Sequence, residues 1–204
     1  VFTGLMTFVI ATYFFELNAA ARLALEALTL AVGIYGIYAQ SMIYRIKAHP
    51  SWDRVTTNMK FFGVAYVGVF LLAFISSFSS LHEAVIPLTT LGTLGALAQI
   101  FFSYEDVRSL DAQENEYQLQ RTKKLLNENF KNVKRLRFVT LALGGVLLPL
   151  LALVLISGSS LGVSVALGLA LVIAFASEIS DRFLFYVTVV PLGMAGGFFV
   201  GKSR

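Results

Sequence analysis

Of 204 residues, 57% are hydrophobic and only 14% charged, against about 25% charged in a soluble domain, so polar surface is too scarce to keep most of this chain in water. The absence of cysteine excludes disulfides, thiol chemistry and iron–sulfur ligation by this chain. The net charge of +4 is small, and its placement carries more information than its size.

Charged residues bracket a series of apolar runs. The first covers residues 1–15 and is closed by Glu16 and the connector "ELNAAAR". The chain opens inside this run rather than at a methionine, which reads as a span cut at its start. The second run covers 23–44, with Glu26 near its beginning, and a polar loop follows, "RIKAHPSWDRVTTNMK". The third covers 61–78 and leads through "SSLHE" into the fourth, 84–104, with Pro87 in its first turn, where proline costs a helix least. A polar segment, 105–137, comes next. Leu119, Leu126, Phe130 and Val133 give it an apolar stripe at helical spacing, so it is expected to be a helical connector. The fifth run, 138–156, contains Pro149, an expected kink, and ends in the turn "SGSS".

The sixth run begins at Leu161 and passes through "ASEISDRFLFY". Because "SEISDR" lacks glycine, proline and asparagine, it reads poorly as a turn between two helices. A single long helix over 161–190 is expected instead, ended by Pro191 and the glycines at 193, 196 and 197. A wet loop at this point would make seven spans.

Each run is long enough for one membrane helix, at about 20 apolar residues or slightly fewer, and continuous apolar runs argue against a β-barrel. The fold class expected is all-α: a polytopic transmembrane helix bundle, one domain over 1–204, with about six spans. With six spans, all but two of the sixteen basic residues fall on one face, in the loops 45–60 and 105–137 and in the tail. Arg22 lies on the other face and Arg182 within the last run. The positive-inside rule makes the basic face cytoplasmic. Basic residues at a membrane face attract anionic lipid before nucleic acid.

Two histidines, His49 and His82, lie in connectors on opposite faces. They offer neither an inward axial pair for haem nor a zinc ligand set. The candidate site residues lie elsewhere. Glu178, Arg182 and Tyr186 follow i, i+4, i+8 spacing and share one helix face, with Asp181 between them. Charged groups in a span usually face the protein interior, paired or near an ion, proton or substrate path. Three readings stay open: an ion pair that fixes helix packing, with Arg182 as the cation for Glu178 and Asp181, a quinone pocket or proton path, and a transporter or channel in which Glu178 and Arg182 line a polar path. A second polar cluster, "SMIYRIKAHPSW", contains Tyr44, Arg45 and Trp52. Tyr44 and Trp52 are placed as interfacial anchors, and Arg45 could line a polar pocket. Both clusters approach the same face.

These two clusters carry a resemblance. "MIYRIKAHPSWDRVTTNMKFF", residues 42–62, resembles the stretch after the fourth span in the membrane anchor subunit of bacterial dimethyl sulfoxide reductases. "SEISDRFLFY" resembles that family's last span, with its Glu-(x)3-Arg-(x)2–3-Phe-Tyr pattern. The order of runs is similar to the last six of the family's eight spans. The resemblance implies a haem-free anchor in the bacterial inner membrane that serves anaerobic respiration. It would oxidise menaquinol and pass electrons to an iron–sulfur subunit, which is paired with a molybdopterin catalytic subunit. The matching positions are Tyr44, Arg45, Trp52, Glu178, Arg182, Phe185 and Tyr186. The family's first two spans, with a His and a Glu linked to quinol binding, would precede Val1. The soluble partners are expected against the face of short, nearly uncharged connectors.

Overall fold

The computed structural model describes residues 19–45, 52–79, 82–112 and 117–187, and every element among them is helical. Helix α1 covers Ala19–Tyr44, α2 Val55–Gly63 and α3 Ala65–Phe78. A short 3-10 turn at His82–Ala84 leads into α4, Val85–Ala112. Helix α5 covers Tyr117–Glu128, α6 Lys131–Ala142, α7 Leu148–Leu155 and α8 Ser160–Val187. A single π turn, Leu143–Leu147, joins α6 to α7.

Five stretches are long and apolar enough to cross a membrane: Ala19–Tyr44, Val55–Phe78, Val85–Arg108, Lys131–Leu155 and Ser160–Val187. These are the second to sixth runs of the sequence, in a polytopic helical bundle. The first run lies outside the described residues. Three spans start well before their apolar runs: the second at Ala19 rather than 23, the third at Val55 rather than 61, the fifth at Lys131 rather than 138. The polar residues gained in this way are the ones that matter below.

Helix α8 is the centre of the bundle and packs on α3, α6, α7 and the π turn, while α3 and α4 pack side by side. Large aliphatic side chains such as Leu94, Val154, Leu161 and Val172 point outward, towards lipid. The interior favours small ones. One core cluster holds Ala73, Val85, Ala152, Val163, Ala166 and Leu167. The other holds Tyr66, Phe70, Ala96, Leu141 and Ala174. Lipid gives helices no hydrophobic reason to associate, so close approach of small residues and hydrogen bonds between helices do that work. The Ser77 and Ser164 hydroxyls meet at 2.8 Å between α3 and α8.

The disruption expected at Pro149 takes the form of the π turn before it. Proline has no N–H, and its ring collides with the carbonyl four residues back. The chain answers by widening one turn, so that the Leu148 N–H bonds the Leu143 carbonyl. That turn carries Gly144 and Gly145, both buried. A Cβ on Gly144 would lie 2.6 Å from the Ala174 backbone nitrogen in α8, and one on Gly145 would lie 2.6 Å from the Ala96 Cβ in α4. The glycine pair therefore lets three helices cross at contact distance. Gly144→Ala should destabilise the bundle by roughly 1–3 kcal/mol, the usual cost of overpacking, read as a lower thermal midpoint in mild detergent. Gly33→Ala, where nothing lies within 4 Å of the new Cβ, should leave the midpoint unchanged or raise it slightly.

Candidate functional site

The inward face of the last turns of α8 carries Ser177, Glu178, Asp181, Leu184 and Phe185, all buried. Their i, i+3/i+4, i+7 spacing keeps them on one stripe. Arg182 is half-buried and Tyr186 exposed, so the face shared by Glu178, Arg182 and Tyr186 rolls from the interior towards the outside.

Glu178 is 5% exposed. Its Oε2 meets no partner, and the Tyr66 hydroxyl of α3 lies near its carboxylate. The same hydroxyl lies 3.4 Å from the Ala174 carbonyl oxygen. Asp181, 1% exposed, accepts from Nη1 of Arg137 at 2.8 Å, while its Oδ2 has no partner. Arg137, 6% exposed, donates from Nη2 to the Ser103 Oγ at 2.7 Å. The Ser103 hydroxyl donates to the Gln99 carbonyl oxygen at 2.6 Å, and the Ser177 hydroxyl to the Arg137 carbonyl at 3.1 Å. Helices α4, α6 and α8 are thus joined through one guanidinium.

A second ionic knot lies beside the first. Asp106 of α4 accepts from Arg54 Nη1 at 2.9 Å, from Thr56 Oγ1 at 2.9 Å and from Lys60. Asp106, Asp181, Arg137, Lys60 and Lys134 share the wall of a cavity of about 50 Å³. That is room for a few water molecules, and far below the 300 Å³ or so at which ligand pockets begin.

Above the two knots sits an aromatic layer. The Trp52 ring stacks on Phe185 at 5.0 Å with 6° between planes, and its indole N–H donates to the Phe185 carbonyl at 3.1 Å. Tyr44 stacks on Phe61 and meets Trp52, Phe185 and Tyr186 edge-on. The Tyr186 hydroxyl donates to that of Tyr44 at 2.9 Å. The Arg182 guanidinium lies 4.1 Å over the Phe61 ring and donates to the Lys60 carbonyl at 3.4 Å. Arg45 pairs with Asp53 at 3.4 Å.

Tyr44, Arg45, Trp52, Glu178, Arg182 and Tyr186 therefore meet at one end of the bundle, although well over a hundred residues separate the two groups. One expectation is corrected. The sequence offers Arg182 as the cation for Glu178 and Asp181, but in the structure Arg182 forms no ion pair with either, and Asp181 pairs with Arg137. The sequence reading left Arg137 among the loop charges. Arg137, Asp106, Tyr66 and Gln99 were all missed. For two of them the sequence held a weak signal: Arg137 immediately precedes the run 138–156, and Asp106 follows the run 84–104 by two residues.

The family model for the DMSO reductase anchor subunit (DmsC) matches residues 1–187. The chain belongs to this family. No curated protein and no solved structure matches it. As a DmsC-family anchor, it is a membrane-embedded subunit associated with a DMSO reductase complex. Among the described residues no group of three or more His, Cys, Asp or Glu side chains could hold a metal ion.

Proposed function

We propose that this anchor subunit oxidises menaquinol in anaerobic respiration. It hands the electrons, without haem, to the iron–sulfur subunit of a molybdoenzyme complex whose molybdopterin subunit reduces the terminal acceptor. Oxidation of the quinol to the quinone releases two electrons and two protons. The electrons pass to the partner's nearest iron–sulfur cluster, and the protons need acceptors inside the bundle.

Glu178 is the observation that carries this reading. A buried ionisable group in a span is costly and marks a functional path by default, and this carboxylate keeps one oxygen unpartnered beside a tyrosine hydroxyl. Asp181 lies one helical turn further on, within about 6 Å by helix geometry. Asp181 also lines the water-sized cavity. A proton accepted at Glu178 has a second carboxylate and that cavity ahead of it. Tyr44, Arg45, Arg182 and Tyr186 form the rim of the same end.

The chain is placed in the bacterial inner membrane with its basic loops cytoplasmic, on the strength of the one-sided Lys and Arg distribution. The soluble pair is proposed to dock on the face of short, nearly uncharged connectors, opposite the basic loops.

The test is to purify the parent complex gently from its own membranes and measure bound subunits, iron, molybdenum and haem. A stoichiometric iron–sulfur and molybdenum pair without haem, reducible by menaquinol, is expected. A chain that purifies alone and without iron overturns the proposal and moves the same charges into a transport path.

A further inference from the structure

The cations at the basic end of the bundle divide into two sets. Among the described residues, Arg45, Arg54, Lys60, Arg108, Lys124 and Arg137 each pair with a carboxylate. Lys131 and Arg135 pair with none, and both are exposed. Glu128, three residues before Lys131, is engaged by Lys124 instead.

The two unpaired cations line an open groove of about 650 Å³ where α5 meets α6. Lys134 is the third cation of that groove, and no carboxylate lines it. Lys134 Nζ donates to the Asn127 Oδ1 at 3.2 Å, which ties the two helices across the hollow. Three like charges around one hollow repel one another, and an anion seated among them relieves that cost. The rest of the lining, Phe138 and Val139, is apolar.

The same helix face continues into the membrane. Lys131 opens the span Lys131–Leu155, and Lys131, Arg135, Val139 and Leu143 follow i, i+4, i+8, i+12 spacing on one side of the helix. Val139, Leu143 and the adjacent Leu136 are exposed. At the helical rise, Val139 and Leu143 lie about 12 Å and about 18 Å beyond Lys131. Charge at the boundary is thus followed directly by aliphatic surface.

We propose that this groove binds the headgroup of an anionic phospholipid, with its phosphodiester between Lys131 and Arg135 and its acyl chains along Val139 and Leu143. Basic pockets beside membrane helices suit such headgroups. The Arg135 guanidinium can give two donors to one phosphate, and its long stem lets a charge one turn inside the span reach the headgroup layer. The aliphatic face selects the occupant, since a free phosphate or an acidic soluble protein would satisfy the cations alone. Charge selects the headgroup. Phosphatidylglycerol brings a net negative charge, whereas phosphatidylethanolamine brings an ammonium that three cations repel. The bound lipid steadies the start of α6, from which Arg137 holds α4 and α8. The inference needs only that this span crosses the membrane, and stands apart from the quinol reading.

The experiment purifies the intact complex in mild neutral detergent, strips loosely held lipid, and titrates in phosphatidylglycerol or phosphatidylethanolamine with the same chains. Native mass spectrometry counts bound lipid, and a phosphatidylglycerol with a photoactivatable diazirine on its headgroup maps the contact. Wild type should retain phosphatidylglycerol in preference, with label within residues 127–139. Arg135→Gln should weaken that binding about fivefold, and Lys131→Gln/Arg135→Gln roughly 25-fold, at the usual worth of a cation near a lipid surface. Arg108→Gln removes one charge from the same end but outside the groove, and should leave binding nearly unchanged. Lys134 is left intact because it also lines the cavity beside Asp181. Equal retention of phosphatidylethanolamine, an equal loss in Arg108→Gln and Arg135→Gln, label outside 127–139, or displacement by millimolar inorganic phosphate would each overturn the lipid site. So would loss of a soluble subunit from the Lys131→Gln/Arg135→Gln complex, which would make the patch a protein interface.

Discussion

Arg137→Leu should destabilise the bundle by about 3–5 kcal/mol, the cost of removing one partner of a buried ion pair. The assembled chain in the membrane should fall accordingly. Three helices lose their common tie: the guanidinium holds Asp181 of α8 at 2.8 Å and the Ser103 hydroxyl of α4 at 2.7 Å from a position on α6. The substitution leaves Asp181, with 2% of its side chain exposed, as a buried carboxylate whose Oδ2 already lacks a partner. The double variant Arg137→Leu/Asp181→Leu should recover much of the loss, because replacing a whole buried pair by apolar side chains is often neutral or better. Thermal midpoints and membrane yields of the two singles and the double give the coupling directly. Arg108→Leu is the control, since Arg108 is exposed and paired only with Glu105 of its own helix. If Arg137→Leu costs no more than that control, the knot does not hold the bundle.

The same geometry changes the meaning of Arg182→Ala. From the sequence, this variant should strand Glu178 and Asp181 without a cation. In the structure it removes a guanidinium from over the Phe61 ring and leaves the Arg137–Asp181 pair in place. Its cost should be nearer that of a cation–π contact, about 0.5–2 kcal/mol. A loss as large as that of Arg137→Leu would reverse this ranking.

Long apolar runs between charges were enough to place the spans, because a membrane helix must satisfy its backbone internally and has little choice of form. The last helix was legible in the same way, with Ser160–Val187 lying close to the expected 161–190. Span beginnings were less legible. Lys60 and Arg137 lie in the polar stretches before apolar runs, and a reading of composition alone ends the helix there. Both instead lie in helical turns that face protein, Lys60 towards Asp106 and Arg137 towards Asp181. Whether a boundary cation meets water or a buried carboxylate depends on the rotation of neighbouring helices, which no local pattern encodes. Topology brought Tyr44 and Tyr186 to the same end of the bundle, but their hydroxyl contact depends on Trp52 and Phe185 stacking between the elements. Gln99 gave no signal at all. One amide in an apolar run is unremarkable until the structure shows both of its polar atoms unpartnered.

Glu178→Gln should leave the complex assembled and lower menaquinol oxidation by about 100-fold, the lower range for loss of a positioned proton acceptor. The exchange is nearly isosteric and removes a buried charge that no cation pairs directly, so the thermal midpoint should hold or rise. This separates Glu178 from Asp181, where the corresponding change breaks the ion pair with Arg137 and should appear mainly as lost stability. Stopped-flow oxidation of a soluble menaquinol analogue by the intact complex, alongside the thermal midpoint, reads both quantities. Glu178→Asp keeps a carboxylate but withdraws it by one methylene from Tyr66, so it should recover part of the rate and none of the wild-type geometry. A purely structural role makes the opposite demand: oxidation within about twofold of wild type in Glu178→Gln, with any effect confined to stability. That result would take Glu178 off the proton path and leave its unpartnered oxygen without a catalytic explanation. A large rate loss in a fully assembled complex would assign the buried carboxylate a task that packing alone does not require.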